Sequence, residues 1–256
     1  MMKRIILVLG GKGGVAKTCF CGVSFYWLTA SGVKVQGYDC DLENPTFFKQ
    51  HKAGEYPVSP LDLLDPAEAR DFLIQLKALE AERPDVLILD MPRATGEQTR
   101  ELIERFNFFK ASEILGYKIT IVSVLNTEPE PIASLAAMLE FCGSKVDYVV
   151  VKPQVWAQDG KSYSLWQRWQ GRTEFESLGG VEIELPILEP IVFQALREKS
   201  LPFFAIESLD FPDNLLAGSF LDLSKIQLDR AAAYLGLPVA EESKPKKESK
   251  TAGGRA

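Results

Sequence analysis

The chain has few of the side chains that build metal and redox centres: its 256 residues include one histidine and four cysteines. Cys19, Cys21, Cys40 and Cys142 form no C-x-x-C pair and do not group with His51, so nothing indicates a structural zinc or iron–sulfur site within one chain. Long apolar runs are missing too. Nowhere do 18 apolar residues follow one another, and the five after Met1-Met2-Lys3-Arg4 are too few for the core of a signal peptide. These absences read as a cytoplasmic protein with reduced thiols and no membrane partner. There is no excess of positive charge either. A formal net charge of −6 argues against general polyanion binding and leaves room only for a local basic patch. No internal repeat is visible.

What the chain does have is apolar content and a glycine loop. With 46% hydrophobic residues it can build a substantial core, and its length suits one large α/β domain followed by a tail. The run Ile5-Ile6-Leu7-Val8-Leu9 leads directly into Gly10-Gly11-Lys12-Gly13-Gly14-Val15-Ala16-Lys17-Thr18, and a helix-like stretch follows. Strand, glycine loop and helix in this order read as a phosphate site. Glycines let backbone N–H groups converge on phosphate oxygens, and the helix aims the positive end of its dipole at the same point. Measured against G-x-x-x-x-G-K-[ST], the segment fits at Gly10, Lys17 and Thr18 but has Ala16 where a glycine is expected.

The spacing Lys12-Gly13-Gly14-x-x-Lys17-Thr18 resembles the deviant Walker A motif of the ParA/MinD family of ATPases. The resemblance implies a doubly wound, mostly parallel α/β sheet with helices on both faces, and ATP and Mg2+ as ligands. It makes Lys12 a signature lysine that reaches the partner's ATP across a dimer interface, and Lys17 a contact to the β- and γ-phosphates. The nucleotide would lie against Gly11, Lys12, Gly13, Gly14, Val15, Ala16, Lys17, Thr18 and Cys19, with the methyl of Ala16 close to the phosphates.

Two further segments extend the resemblance. A strand over 33–38 delivers Asp39-Cys40-Asp41 to its C-terminal end, where ligands bind in open α/β sheets. Two acids one residue apart suit a nucleotide–magnesium site, or else they end a strand and cap the next helix. The family's first switch has this D-x-D; Asp41 matches the acid that positions the hydrolytic water, and Asp39 is a further candidate toward the metal. The continuation, Leu42-Glu43-Asn44-Pro45, departs from the usual Pro-Gln-Gly-Asn. The buried-strand pattern Val86-Leu87-Ile88-Leu89-Asp90 then precedes Met91-Pro92 and resembles the Walker B strand and second switch. That resemblance makes Thr18 the direct magnesium ligand and Asp90 a ligand through water. Arg93 stands where a second proline is common.

The remaining chain agrees with the family in its order of elements. Residues 46–60 read as irregular, and Asp65-Pro66 opens a helix to about Arg83 with Phe72, Leu73, Leu76 and Leu79 inward. Further helices are expected over 96–116, from Glu128-Pro129-Glu130-Pro131 to about Phe141 and from Glu189-Pro190 to about Lys199, and further strands over 118–125, 146–151 and 181–187. Where relatives commonly carry an adenine-binding Asn, this chain has Lys152-Pro153, and the base is expected near Pro186 and the residues to Pro190. Residues 154–180 interleave Trp156, Tyr163, Trp166, Trp169 and Phe175 with Lys161, Arg168 and Arg172. They read as a lid whose Leu165 and Trp169 pack on the domain, or as a partner-binding insertion. A last helix over 219–235 is not strongly cationic, which excludes a membrane-targeting helix. The domain is expected over 1–238, with 239–256 a disordered tail.

By resemblance the chain would be a short ATP-dependent dimerisation switch of the ParA type, with slow, partner-stimulated hydrolysis that positions plasmid DNA or a protein cargo. Its partners would be a second copy, an adaptor protein and nonspecific DNA gripped by a dimer patch drawing on Arg168, Arg172, Arg197 and Lys199. Asp41-x-x-Asn44-Pro45-Thr46-Phe47 also resembles a conjugation accessory ATPase of the TraL type. A metabolic ATP-dependent ligase or synthetase of the same P-loop group is the alternative of another class.

Overall fold

The computed structural model describes residues 2–10, 16–52, 54–92, 96–157 and 163–239, with the side chains of Gly96 and Gln98 outside that set. Seven parallel strands form one sheet: β1 (Lys3–Gly10), β2 (Val35–Asp39), β3 (Val58–Pro60), β4 (Val86–Asp90), β5 (Tyr117–Val124), β6 (Asp147–Pro153) and β7 (Val181–Leu185). Their order across the sheet is β3-β2-β4-β1-β5-β6-β7. The helices are α1 (Lys17–Ala30), α2 (Thr46–His51), α3 (Pro66–Ala78), α4 (Gly96–Arg105), α5 (Phe108–Leu115), α6 (Glu130–Cys142), α7 (Ser164–Arg168), α8 (Arg172–Ser177), α9 (Pro190–Glu198), α10 (Asp213–Arg230) and α11 (Ala232–Leu235). This is the doubly wound α/β architecture expected from the sequence.

Strand alternation divides the core into two layers. Ile6 and Val8 of β1 join Ile88 of β4 and Val149 of β6 on one face, under α1, α2 and the elements that follow β7. Ile5, Leu7 and Leu9 join Leu87, Leu89 and Val150 on the other, under α3 to α8. Right-handed crossovers produce this split: connections stepping toward β3 lie on one face and those stepping toward β7 on the other. Both faces are covered, which is why the central runs Ile5–Leu9 of β1 and Val86–Leu89 of β4 are unbroken apolar instead of alternating. Every strand therefore ends at the same edge. Gly10, Asp39 and Asp90 come together there because β1 and β2 both flank β4.

Several expectations need correction. Residues 46–60 hold α2 and β3, both too short to leave a periodic signal. The helical stretch 96–116 breaks at Asn107, whose φ of 46° ends the register between α4 and α5. Leu79 lies outside α3 and is exposed. The helix expected over 219–235 is α10, which begins at Asp213, and after Ala231 α11; Leu223 and Ile226 of α10 face outward while Phe220, Leu221 and Leu228 are buried. In 154–180 Trp169 packs against the core as expected, but Leu165 is exposed, and Trp166 and Phe175 are the residues buried in the core. That segment is the β6–β7 crossover, and its arginine Arg172 is engaged by Glu176 and Glu182. Lys161, and residues 240–256 of the expected tail, lie outside the described residues.

At the opposite edge the buried Arg4 pairs with Asp147 and donates to the Ala233 carbonyl oxygen, while Thr120 Oγ1 donates to the Tyr234 carbonyl oxygen. These bonds fasten α11 across the sheet.

His51 ends α2 in an aromatic pocket of Phe25, Phe47 and Phe204. Its Nδ1 lies 2.9 Å from the Phe47 carbonyl oxygen and Nε2 is buried without a partner among the described residues. Burial holds its pKa down at about 4, against about 6.5 in an exposed chain. The unfolded chain thus takes up the proton first as pH falls, and stability is lost between about pH 6.5 and pH 4. His51→Phe should lose about 2.5 kcal/mol less stability than the parent between pH 8 and pH 4.5. Denaturant unfolding at the two pH values checks this.

Candidate functional site

The site is built on the C-terminal edge around β4. Parallel register sets Asp90 beside Val8 of β1 on one side and Asp39 of β2 on the other. The backbone continues the ladder beyond the strands: Met91 N–H donates to the Val8 carbonyl oxygen, and Cys40 N–H to that of Asp90. Gly11, Lys12, Gly13, Gly14 and Val15 lie outside the described residues, as does Arg93. The chain is described again from Ala16, the residue preceding α1.

Ala16 has φ 70° and ψ 19°, the left-handed conformation. The departure from G-x-x-x-x-G-K-[ST] therefore falls where the backbone favours glycine. Left-handed backbone costs an L-residue about 1–2 kcal/mol, while glycine restores about 0.4–1 kcal/mol of chain entropy to the unfolded state. The first turn of α1 contains no acidic residue, and Ala16 gives it no side-chain cap. Its N–H groups and the dipole they end suit an anion.

Lys17 opens α1 with only 7% of its surface exposed, and it forms no ion pair among the described residues. Thr18 Oγ1 donates to Asp90 Oδ2 at 2.6 Å. Asp90 is itself buried, and its second oxygen, Oδ1, has no partner among the described residues. Burial pushes the Asp90 carboxyl up to about 6; the Lys17 charge and the Thr18 hydrogen bond oppose that rise. Cys19 is half-buried, and burial raises its thiol to about 12.

Asp39 is buried and raised to about 7, chiefly by burial and against its backbone hydrogen bonds. Its Oδ2 accepts from Phe48 N–H at 2.9 Å and its Oδ1 from Asp41 N–H at 3.1 Å. Asp41 is half-buried, accepts from Asn44 N–H at 3.2 Å, and adds to the negative field on Asp90. The structure thus brings Lys17, Thr18, Asp39, Asp41 and Asp90 together. Pro186 is elsewhere: it follows β7, three strands from β1, or about 14 Å across the sheet. Lys152 pairs with Glu182 at 3.1 Å and is turned to its neighbouring strand.

Sequence reasoning missed two participants. Cys21 is buried next to the Asp90 carboxylate, whose charge adds to burial in raising the thiol; lying three residues after Thr18 it shares that helix face, a spacing signal available from sequence. Phe48 N–H holds Asp39, a backbone contact that no side-chain pattern announces.

An oxygen-donor cation fits here on two observations: a buried carboxylate oxygen lacks a partner among the described residues, and a hydroxyl adjoins it. Among the described residues no three His, Cys, Asp or Glu side chains form a metal cage, so the cation would need oxygens from a ligand or water.

Similar proteins share this architecture. Over 202 residues the chain is 25% identical to Protein MobD of Acidithiobacillus ferrooxidans, covering 78% of this chain and 85% of that one. Among solved structures it is similar to the septum site-determining protein MinD of Pyrococcus horikoshii, complexed with Mg-ADP. That match has a TM-score of 0.51 at 15% identity, covering 91% and 99% of the two chains. Pyrococcus furiosus MinD, a cell division ATPase, also scores 0.51, at 13% identity over 88% and 100%. The MinC:MinD complex of Aquifex aeolicus scores 0.50 at 18% identity over 87% and 95%. No protein-family model matches the chain.

Two outcomes follow from the site's geometry. Ala16→Gly should raise stability by up to about 1 kcal/mol in denaturant unfolding. Folded Asp90 keeps its proton to a higher pH than the unfolded chain, so its contribution declines as pH rises from about 4 through 6. Asp90→Asn removes that decline, and its stability between pH 4.5 and pH 8 should improve on the parent's by about 2 kcal/mol.

Proposed function

We propose that this chain, whose fold fits the ParA/MinD group of P-loop ATPases, binds ATP with Mg2+ and hydrolyses it as a two-subunit switch. The observation that carries the reading is the Thr18–Asp90 hydrogen bond beside the unpartnered Asp90 Oδ1, with Lys17 buried at the opening of the same helix. A buried cation and an uncapped helix start are matched by an anionic ligand, and polyphosphate supplies the charge and the oxygens.

Each residue then has a role. Lys17 and the first N–H groups of α1 hold the β- and γ-phosphates. Thr18 and Asp90 hold magnesium, which when bound neutralises charge developing on the phosphates. Asp41 orients the attacking water. No strong base is needed, because phosphoryl transfer rests on positioning and electrostatics, and slow turnover is expected of such a site. The base would lie toward Pro186 to Pro190, at the end of the strand row that begins beside the phosphate loop. Lys12 takes its role from the resemblance: it would complete the partner's site, making the nucleotide the joint between two copies.

The switch would position a cargo, such as a plasmid or a protein complex, through an adaptor protein. The Aquifex aeolicus MinC:MinD complex is a precedent for a partner of that kind. DNA binding has less support. The net charge is −6, and of the four candidate cations Arg172 is committed to Glu176 and Glu182 while Lys199 lies 3.6 Å from Asp210. Among the described residues no helix is long and apolar enough to cross a membrane.

Lys17→Ala should reduce Mg-ATP affinity at least 100-fold in titration calorimetry, whereas Asp41→Asn should keep binding within about threefold and slow hydrolysis. Unchanged binding in Lys17→Ala would overturn the site. ATP with Mg2+ should shift the protein to a dimer in analytical ultracentrifugation. Dimerisation that persists unchanged in Lys12→Ala would overturn the shared-site reading.

A further inference from the structure

Asp41 is the residue given the water-orienting role, yet it sits in a turn and its side chain has no helix or strand to fix it. Something must hold it at the site. The hydrogen bonds of its neighbour identify what does. Asp39 is 1% exposed at the last position of β2, opposite Asp90 in the parallel register. Its main chain is committed to the sheet, where its carbonyl oxygen accepts from Leu61 N–H. Its carboxylate turns into the following segment and uses both oxygens there, Oδ1 for Asp41 N–H and Oδ2 for Phe48 N–H. One side chain thus spans the turn from its first residue to the third residue of α2.

We propose that Asp39 is a positioning residue, a latch that holds the 40–48 segment against the sheet and so presents Asp41 to the site. This rests on the ATPase reading above for the role of Asp41, though the latch itself is a property of the polypeptide alone. The far end of the segment is anchored independently. Phe47 is fully buried against Phe25 and His51, so α2 stays docked on α1 while the turn depends on Asp39. Within the turn, Asn44 N–H occupies one Asp41 oxygen, Oδ1. The other oxygen is not engaged by the described residues. Each Asp39 oxygen accepts one backbone N–H, so the carboxylate is directed toward the 40–48 segment.

Amide hydrogen exchange of the nucleotide-free protein reads the latch without any turnover. In Asp39→Ala, exchange at Asp41 and Phe48 should accelerate at least about tenfold, with α1 amides unchanged. With ATP and Mg2+, kcat should fall about 10- to 100-fold while KM moves less than about threefold. The double variant Asp39→Ala, Asp41→Ala should be no slower than Asp41→Ala alone, because both lesions remove the same positioned group. Asp39→Asn, which can accept only one of the two N–H groups, should be intermediate in exchange, and it carries the test if the alanine variant does not fold. Unchanged exchange at both amides would overturn the latch. A raised Mg2+ requirement with kcat intact would make Asp39 a cation ligand and also overturn it. Failure of the ATPase reading is seen separately, as Mg-ATP binding that survives Lys17→Ala while the exchange result still decides the latch.

Discussion

The constraint on which the rest depends is the parallel pairing of β4 with β1 and β2. Parallel strands that share a sheet end at a common edge, and the registers Val8 with Asp90 and Asp39 with Asp90 bring two acids and the end of β1 to one place. A shift of one residue in β4 would reverse every side chain between the two core layers. Leu87 and Leu89 would then exchange faces with Val86 and Ile88, so the apolar packing that stabilises the sheet also holds the position of Asp90.

That position is unfavourable for an isolated carboxylate. Burial raises both Asp39 and Asp90 well above their ordinary values, and the site is balanced by Lys17, by Thr18 and by backbone N–H groups. Such imbalance is common where a protein is built to receive a ligand that completes its charges. A bound cation would favour the ionised carboxylate and relieve part of the strain that burial imposes. Stability and ligand binding are thereby linked through the same acid.

The two acids of the D-x-D are not equivalent, although sequence spacing makes them look alike. Asp39 is inside the sheet layer and spends its oxygens on the backbone, whereas Asp41 is half-buried in the turn that follows β2. Of the two readings open for this pair, metal-site acids or strand end and helix cap, the first residue follows the capping geometry, while the second adds to the negative field on Asp90. No pattern of residue types distinguishes them, because the difference lies in which N–H groups α2 delivers nine residues later.

The sequence alone determined the fold class, the phosphate-loop strand and helix, and the acids at the ends of β2 and β4, because each leaves a local signal. An unbroken apolar run marks a strand buried on both faces, and glycines followed by Lys17-Thr18 mark a turn into a helix. Even the departure at Ala16 was legible, though its backbone cause, a left-handed φ, was not. Only the tertiary structure decided the roles that depend on distant chain. It buried Cys21, placed Trp166 and Phe175 in the core, turned Lys152 to Glu182, and faced Leu223 and Ile226 outward. α2 and β3 went unseen because elements of six and three residues carry too few turns or alternations to show a period. Burial and hydrogen bonding between segments far apart in sequence are set by how the layers pack, and one chain read in order does not contain that packing.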